Sequence, residues 1–201
     1  MAELEGSKIK ELLRRTKLTT KSRYRASERL ARHQKVSQWT VAFISCALIF
    51  IPLFQAYGVE LTLSSQLLNS FQSVLAVMVL VYSLLLGQEN FVSRSESMQR
   101  NGVELGRFAR KLRGLSDSDE SYDELAEEYY DILEKYENHK PIDYLFTRLH
   151  QKPESWDEWP AYLWLWVRAQ LFMWLGYFHY LTAISFVAYI FYYVYTNIKP
   201  G

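Results

Sequence analysis

Two stretches decide the fold: Trp39–Tyr57, WTVAFISCALIFIPLFQAY, and Leu67–Leu86, LLNSFQSVLAVMVLVYSLLL. They are nineteen and twenty residues long and carry no charge. A helix of about 20 residues rises roughly 30 Å, the thickness of a hydrocarbon core. Backbone inside a bilayer must satisfy its own hydrogen bonds, so both stretches are predicted as helices. Pro52 is tolerated in such a helix and is expected to kink it. The nine residues Gly58–Gln66 between them are few enough to make an antiparallel hairpin.

Outward from the hairpin, the averages of the 201 residues conceal this segregation. The chain is 49% hydrophobic and 22% charged with a net charge of +1, values of an ordinary soluble protein. Between Val36 and Gln88, however, the only charged residue is Glu60, and Ala169–Ile198 holds no Lys, Arg, Asp or Glu. The apolar and aromatic content excludes a disordered chain. The net charge argues against a strongly basic nucleic-acid binder, and no direct nucleic-acid binding is expected. A lone cysteine, Cys46, excludes a disulfide framework.

Some 38 polar residues precede the first span, so it is expected to be a retained anchor and not a signal peptide. Residues 1–38 hold eleven Lys/Arg against four Asp/Glu, and Gln88–Arg113 holds six against three. Two basic flanks on one side satisfy the positive-inside rule. The expected topology is a multi-pass inner-membrane protein with a cytoplasmic N-terminus. Its cytoplasmic helices are expected over 88–149.

The C-terminal third is longer than one span needs. At 1.5 Å per residue, Ala161–Thr196 would make roughly 54 Å of helix. Five of the six tryptophans lie in its first part and approach: Trp156, Trp159, Trp164, Trp166 and Trp174. Tryptophan prefers the membrane interface, and Arg168 can snorkel from there. The expectation is an interfacial helix from about Pro160 that enters near Leu171 and spans to about Tyr195. A re-entrant or surface-lying helix is the alternative. Trp39 is the corresponding interface anchor of the first span.

The remaining segments read as helices too. The basic arm places Tyr24, Ser27, Leu30, Ala31 and Gln34 at helical spacing ahead of the first span. After the second span, Phe91, Met98, Leu105 and Leu112 fall seven apart, with Phe108 and Leu115 alternating. This heptad stripe is interrupted by Arg94 and Asn101, and it is expected to continue the second membrane helix and pack on a partner. A turn at Gly114–Asp119 breaks it, and Ser121 is the expected cap of the next helix. That helix carries Tyr122, Leu125, Tyr129, Ile132 and Tyr136 as a packing stripe. Asp117–Glu137 holds ten acidic residues against one Lys. It is expected either to pack on the basic flanks, within or between subunits, or to form a solvated face. Pro141 ends the segment and opens a short new helix.

Chemistry-bearing patterns are missing. No GxxxxGK[ST], GxGxxG or GxSxG occurs, and His33, His139, His150 and His179 have no metal-ligand spacing. His139 and Asp143 stand i, i+4 with Pro141 between them, which favours a structural hydrogen bond over catalysis. His179 is expected as a satisfied packing histidine. No cofactor, metal or enzymatic activity is expected.

The second span carries a polar face that an anchor does not require. Gln66, Asn69, Ser73, Ala76, Leu80, Ser83 and Gly87 follow spacings of three and four, and all but Leu80 are small or polar. The first span repeats this weakly with Gln38, Ala42, Ser45, Ile49, Pro52 and Ala56. Small and polar faces serve helix packing in lipid. They also line pores in oligomers, in which case Asn69, Gln72 and Ser73 lie toward the outer mouth and Leu80 forms a hydrophobic constriction. Both readings stand.

The arm KSRYRASERL, the hairpin, ENFVSRSESMQRNGVELGRFARKL and an acidic helix ending in YENHKPIDY together resemble the SLATT family, the SMODS- and SLOG-associating two-transmembrane effector domains of bacteria. The closest likeness is to its fifth subfamily, whose Asn-His-x-x-x-Asp-Tyr element is here Asn138, His139, Asp143 and Tyr144. The likeness places a SLATT-like domain over 1–149 and an aromatic-rich membrane-associated segment over 150–201. It implies an oligomeric, membrane-permeabilising effector of antiphage defence, triggered by a linked sensor that makes or senses a nucleotide signal. Members of this subfamily are similar to ones found beside reverse transcriptases. The runner-up is a membrane anchor or scaffold for a partner enzyme such as a reverse transcriptase. The fold class expected is all-α: a helical membrane protein with a two-helix transmembrane hairpin, cytoplasmic helical extensions and a third, C-terminal membrane-associated helix.

Overall fold

A computed structural model describes residues 2–57, 63–115, 122–150, 153 and 155–198, with side chains from Lys8 onward. Six α-helices make up the described chain: α1 (Ala2–Ala56), α2 (Ser65–Glu89), α3 (Phe91–Gly114), α4 (Tyr122–Glu134), α5 (Pro141–Arg148) and α6 (Trp159–Thr196). A 3-10 turn at Trp156–Glu158 precedes α6. The all-α membrane fold class holds. Glu60, most of the Gly114–Asp119 turn and the cap at Ser121 lie outside the described residues.

The chain forms two compact units. One comprises Met1–Ala31 with Val92–Met173, and the other comprises Arg32–Phe91 with Trp174–Gly201. The basic arm and the first span are one helix of 55 residues, and α1 runs through Pro52. The C-terminal segment is likewise one helix of 38 residues with no break at Leu171.

In the second unit, α1, α2 and α6 pack around an apolar core. Ile44, Ala47 and Ile51 of α1 meet Leu68 and Leu75 of α2 and Ala183, Val187, Ile190 and Val194 of α6. The spacing of three and four along each helix gives each one apolar stripe. α6 from Trp174 therefore packs as a third helix beside the hairpin, not as a separate surface element. Ser37 and Thr40 are buried on the same face of α1, each hydroxyl donating to the carbonyl four residues back, His33 and Val36, at 2.7 and 2.8 Å. Three helices are long and apolar enough to cross a membrane, and their outer surfaces remain apolar: Ile49, Val77, Leu84, Leu175 and Phe178 are all exposed. An exposed apolar surface of that extent belongs in lipid.

Ser64 caps α2, its hydroxyl accepting from the Leu67 N–H at 3.3 Å. At the other end Asn90 takes a left-handed backbone, φ 46°, and is the only non-glycine residue with positive φ among the described residues. Asparagine is the residue that follows glycine in tolerating this conformation. The second span thus does not continue unbroken into the heptad segment, as the sequence suggests. Asn90 ends α2, and α3 starts afresh at Phe91.

In the first unit, α3 presents Leu105, Phe108 and Leu112 to Leu12 of α1 and to Leu125, Tyr129 and Ile132 of α4, while the buried Met98 meets Arg23. The two residues that interrupt the heptad are themselves contacts. Asn101 is fully buried and its amide donates to the Ile132 carbonyl at 3.0 Å; Arg94 grips Glu137 with two bonds of 2.8 and 2.9 Å. The packed face of α1 differs from the stripe expected in its arm. Ser27 and Leu30 are buried, but Tyr24 and Ala31 are exposed, and Thr16, Ser22, Arg23 and Ala26 fill the face instead. Tyr24 still lies over Gly102, where an added Cβ would come within 3.1 Å of its ring.

Leu105 is wholly buried at the meeting of α1, α3 and α4. Leu105→Ala should cost about 2–5 kcal/mol in denaturant unfolding, whereas Glu127→Ala, on an exposed face, should stay within about 0.5 kcal/mol.

Candidate functional site

Two places concentrate polar chemistry, and each lies within one unit. The first is the junction of α1 with α5. Pro141 occupies the first turn of α5, where its missing N–H has no bond to lose. This puts His139 ahead of the helix and aims Asp143 back at its start. The Asp143 carboxylate accepts the Lys140 N–H at 3.0 Å, and Thr147 donates to the Asp143 carbonyl at 2.8 Å. The same carboxylate receives two bonds from the Arg29 guanidinium, at 2.8 and 3.1 Å. Asp143 is 2% exposed, so this is a buried, bidentate ion pair that also caps a helix. Ser22 donates to the Thr147 hydroxyl at 3.1 Å and adds a second tie between α1 and α5.

Six residues before Arg29 on α1 lies Arg23, also 2% exposed. Its guanidinium donates to the Glu137 carbonyl and lies 3.5 Å from the Met98 sulfur, while its Nε has no partner. Burial pushes its pKa down, opposed by the negative groups around it. His139 shares this pocket. Desolvation first, and Arg23 second, hold its imidazole below the usual range, against a weaker upward pull from Asp143; its Nδ1 is buried without a partner. A neutral imidazole beside a guanidinium avoids placing two cations together. Asn138 accepts the His139 N–H at 3.0 Å, and Tyr144 is 39% exposed.

The structure therefore brings His139 and Asp143 together, but not as a hydrogen-bonded pair. Each answers to an arginine of α1. Sequence reasoning missed both Arg23 and Arg29, although KSRYRASERL contains them. Their signal was a cation at a position where helical phase demands burial.

The second place is the face of α2. Leu68 and Leu75 are its buried residues, while Gln66, Asn69, Ser73, Ala76, Leu80, Ser83 and Gly87 are all exposed, and Gln72 is half-buried. The hydroxyl of Ser73 donates to the Asn69 carbonyl at 2.9 Å. On α1, Gln38, Ala42, Ile49, Pro52 and Ala56 are exposed and Ser45 is half-buried. The small and polar faces are not the ones that hold the bundle together.

His179 is exposed. The Tyr82 hydroxyl donates to its backbone carbonyl at 2.8 Å, and its ring lies 3.8 Å from that of Tyr180. A groove of about 430 Å³ between α2 and α6 is lined by Met78, Tyr82, Phe178, His179, Thr182, Ala183 and Phe186. The tryptophans expected as interface anchors, Trp39, Trp159, Trp164, Trp166 and Trp174, are between 45% and 76% exposed, and Arg168 sits 5.7 Å from the Phe172 ring. No cluster of three or more metal-ligating side chains occurs among the described residues.

Residues 5–194 match the model of the SMODS and SLOG-associating 2TM effector domain family 5. The chain belongs to this family. The match takes in α6 as well as the hairpin, so a third apolar helix is part of the family's region in this chain. No curated protein and no solved structure matches the chain. The family is one of two-transmembrane effector domains, and Asn138, His139, Asp143 and Tyr144 lie in the first unit of this chain.

Removing one partner of a buried ion pair leaves the other charge uncompensated. Asp143→Asn should therefore cost about 3–5 kcal/mol of unfolding free energy, and Arg29→Met should cost a comparable amount; denaturant titration checks both. His139 supplies a pH signature. Its folded pKa is depressed, so protonation favours the unfolded chain: its stabilising share is complete above about pH 6.5 and is lost as pH falls through the folded value. Unfolding free energies at pH 7.5 and 5.5 should differ less in His139→Gln than in the parent.

Proposed function

We propose that the protein is an oligomeric, pore-forming effector of bacterial antiphage defence, located in the inner membrane with a cytoplasmic N-terminus. A partner component carrying or sensing a nucleotide-type signal gates it. The observation that carries this reading is the direction of the α2 face. Gln66, Asn69, Ser73 and Ser83 point away from the core that Leu68 and Leu75 build. Side-chain amides left against acyl chains are costly, so that face is covered by another subunit or by water. In a ring of hairpins both occur: small residues let neighbours approach, and the polar remainder lines the axis. Leu80, 59% exposed on the same face, is positioned to narrow such a channel and gate it by dewetting. Membership of an effector family supports the defence role.

The test uses purified protein in liposomes and planar bilayers, with mass measured in parallel. Stepwise conductance from an oligomer is expected. Asn69→Leu with Ser73→Leu should abolish conductance and toxicity while oligomerisation persists, and Leu80→Ala should leave the channel leaky. Loss of assembly in the leucine variant would make the face a packing surface. Silence that persists with partner and signal added would favour a scaffold for a partner enzyme.

A further inference from the structure

The first unit carries two outward rows of opposite charge. On α1, Leu12, Thr16, Arg23, Ala26 and Leu30 are buried, and the opposite side of the helix presents Lys10, Arg14, Lys17 and Lys21. On α4, Leu125, Tyr129 and Ile132 are buried, and the opposite side presents Glu124, Glu127, Asp131 and Glu134. All eight are exposed. Each row keeps the three-and-four spacing of a single helix face, and at 1.5 Å per residue each is about 15–17 Å long. Most of each row is not spent on the other within the chain. Arg14 pairs with its own neighbour Glu11, while Lys17, Lys21, Glu127, Asp131 and Glu134 have no ion-pair partner among the described residues.

The rows are also level. Lys8 lies over the Tyr122 ring at 5.3 Å, Thr19 meets the Tyr129 hydroxyl at 3.0 Å, and Arg23 reaches the Glu137 carbonyl. Contacts that begin at Lys8 with Tyr122 and end at Arg23 with Glu137 make α1 and the α4 segment run in the same direction, in step. Lys10 thus stands at the height of Glu124, Lys17 at that of Asp131, and Lys21 at that of Glu134.

The geometry points to a subunit contact in which the basic row of α1 in one copy docks on the acidic row of α4 in the next. Two different surfaces meeting head to tail generate a ring when the operation is a rotation without rise, and a filament when it is not. Rows of equal length at equal height, on helices running the same way, satisfy the condition for a ring whose axis follows α1 and α4. The partner is therefore a second copy of this chain. The proposal rests on the assembly in the functional reading above, but not on conduction.

Charge reversal tests it in detergent-solubilised full chain at about 100 mM salt, where screening is incomplete. Variant A carries Lys10→Glu, Lys17→Glu and Lys21→Glu; variant B carries Glu127→Lys, Asp131→Lys and Glu134→Lys. A then has two acidic rows and B two basic ones. Each alone should associate at least about tenfold more weakly than the parent, and an equimolar mixture should regain association as an alternating assembly with an even number of subunits. Parent-like assembly of A or B alone overturns the proposal, as does a mixture that stays dissociated while both variants keep the parent's helicity.

Where a triple variant loses helicity, a Cys46→Ser background with Lys21→Cys in one copy and Glu134→Cys in another replaces it. A disulfide between copies under mild oxidation supports the contact, and its absence overturns it. Loss of activity by A only in anionic vesicles, with assembly intact in detergent, assigns the basic row to lipid and also overturns the contact. Liposome conductance of the A–B mixture separates the two ideas. A ring that assembles without conducting leaves the contact standing and removes the pore, and conduction that ignores both reversals removes only the contact.

Discussion

The constraint on which the rest depends is the continuity of α1. A single helix of 55 residues contributes a buried stretch to each compact unit, and the two stretches differ in composition. Over the first unit the face is Leu12, Thr16, Ser22, Arg23, Ala26 and Leu30; over the second it is Ser37, Thr40, Ile44, Ala47 and Ile51. Each remaining element is matched to its stretch. α5 supplies Asp143 and Thr147 to the arginine-bearing part, α3 and α4 supply Leu105 and Leu125 to Leu12, and α6 supplies Val187 and Ile190 to Ile44 and Ile51. A helix of this length gains little from propensity alone, and its order comes from the packing it enables.

The buried charges in the first unit fit that role. An Arg–carboxylate pair out of water returns little net stability compared with apolar side chains of the same volume, because desolvation offsets attraction. Its geometry, however, permits few substitutes: Asp143 must cap Lys140 and face Arg29 at once. Asn101, donating to the Ile132 carbonyl, imposes a similar condition between α3 and α4. Both fix which residue lies opposite which. An apolar stripe alone would allow α4 or α5 to slide by a turn.

Hydropathy and helical period made the membrane helices, the third apolar segment and the stripes of α3 and α4 legible in the sequence. These signals are local, because each span must satisfy its backbone within itself. What escaped were matters decided at a distance. Arg23 and Arg29 look like members of a solvated basic arm until the Glu137 carbonyl and Asp143 are placed against them. Arg94 and Asn101 look like faults in a heptad until Glu137 and Ile132 are placed. The break at Asn90 needed a backbone angle, since an asparagine between two helical stretches has no unique meaning in sequence. Membership of the family was legible from the combination of motifs, yet the element Asn138–Tyr144 had no visible purpose until Asp143 was seen between Lys140 and Arg29.

The two outward surfaces ask different things of an assembly. Ion pairs in water contribute about 0–1 kcal/mol each and weaken with salt, so charged rows on α1 and α4 supply direction and register more than strength. The α2 face has the opposite character. In the proposed ring its small residues allow close approach and its amides and hydroxyls turn to the axis, so it favours contact but specifies register weakly. A face of one kind alone would give either a loose, salt-sensitive association or a tight one with slipping neighbours. In the proposed assembly, the charged rows of the first unit select the neighbour and its height while the α2 faces bring the membrane helices together. A ligand or partner that competes for the charged rows would then alter the arrangement of subunits without having to break the contacts made in lipid.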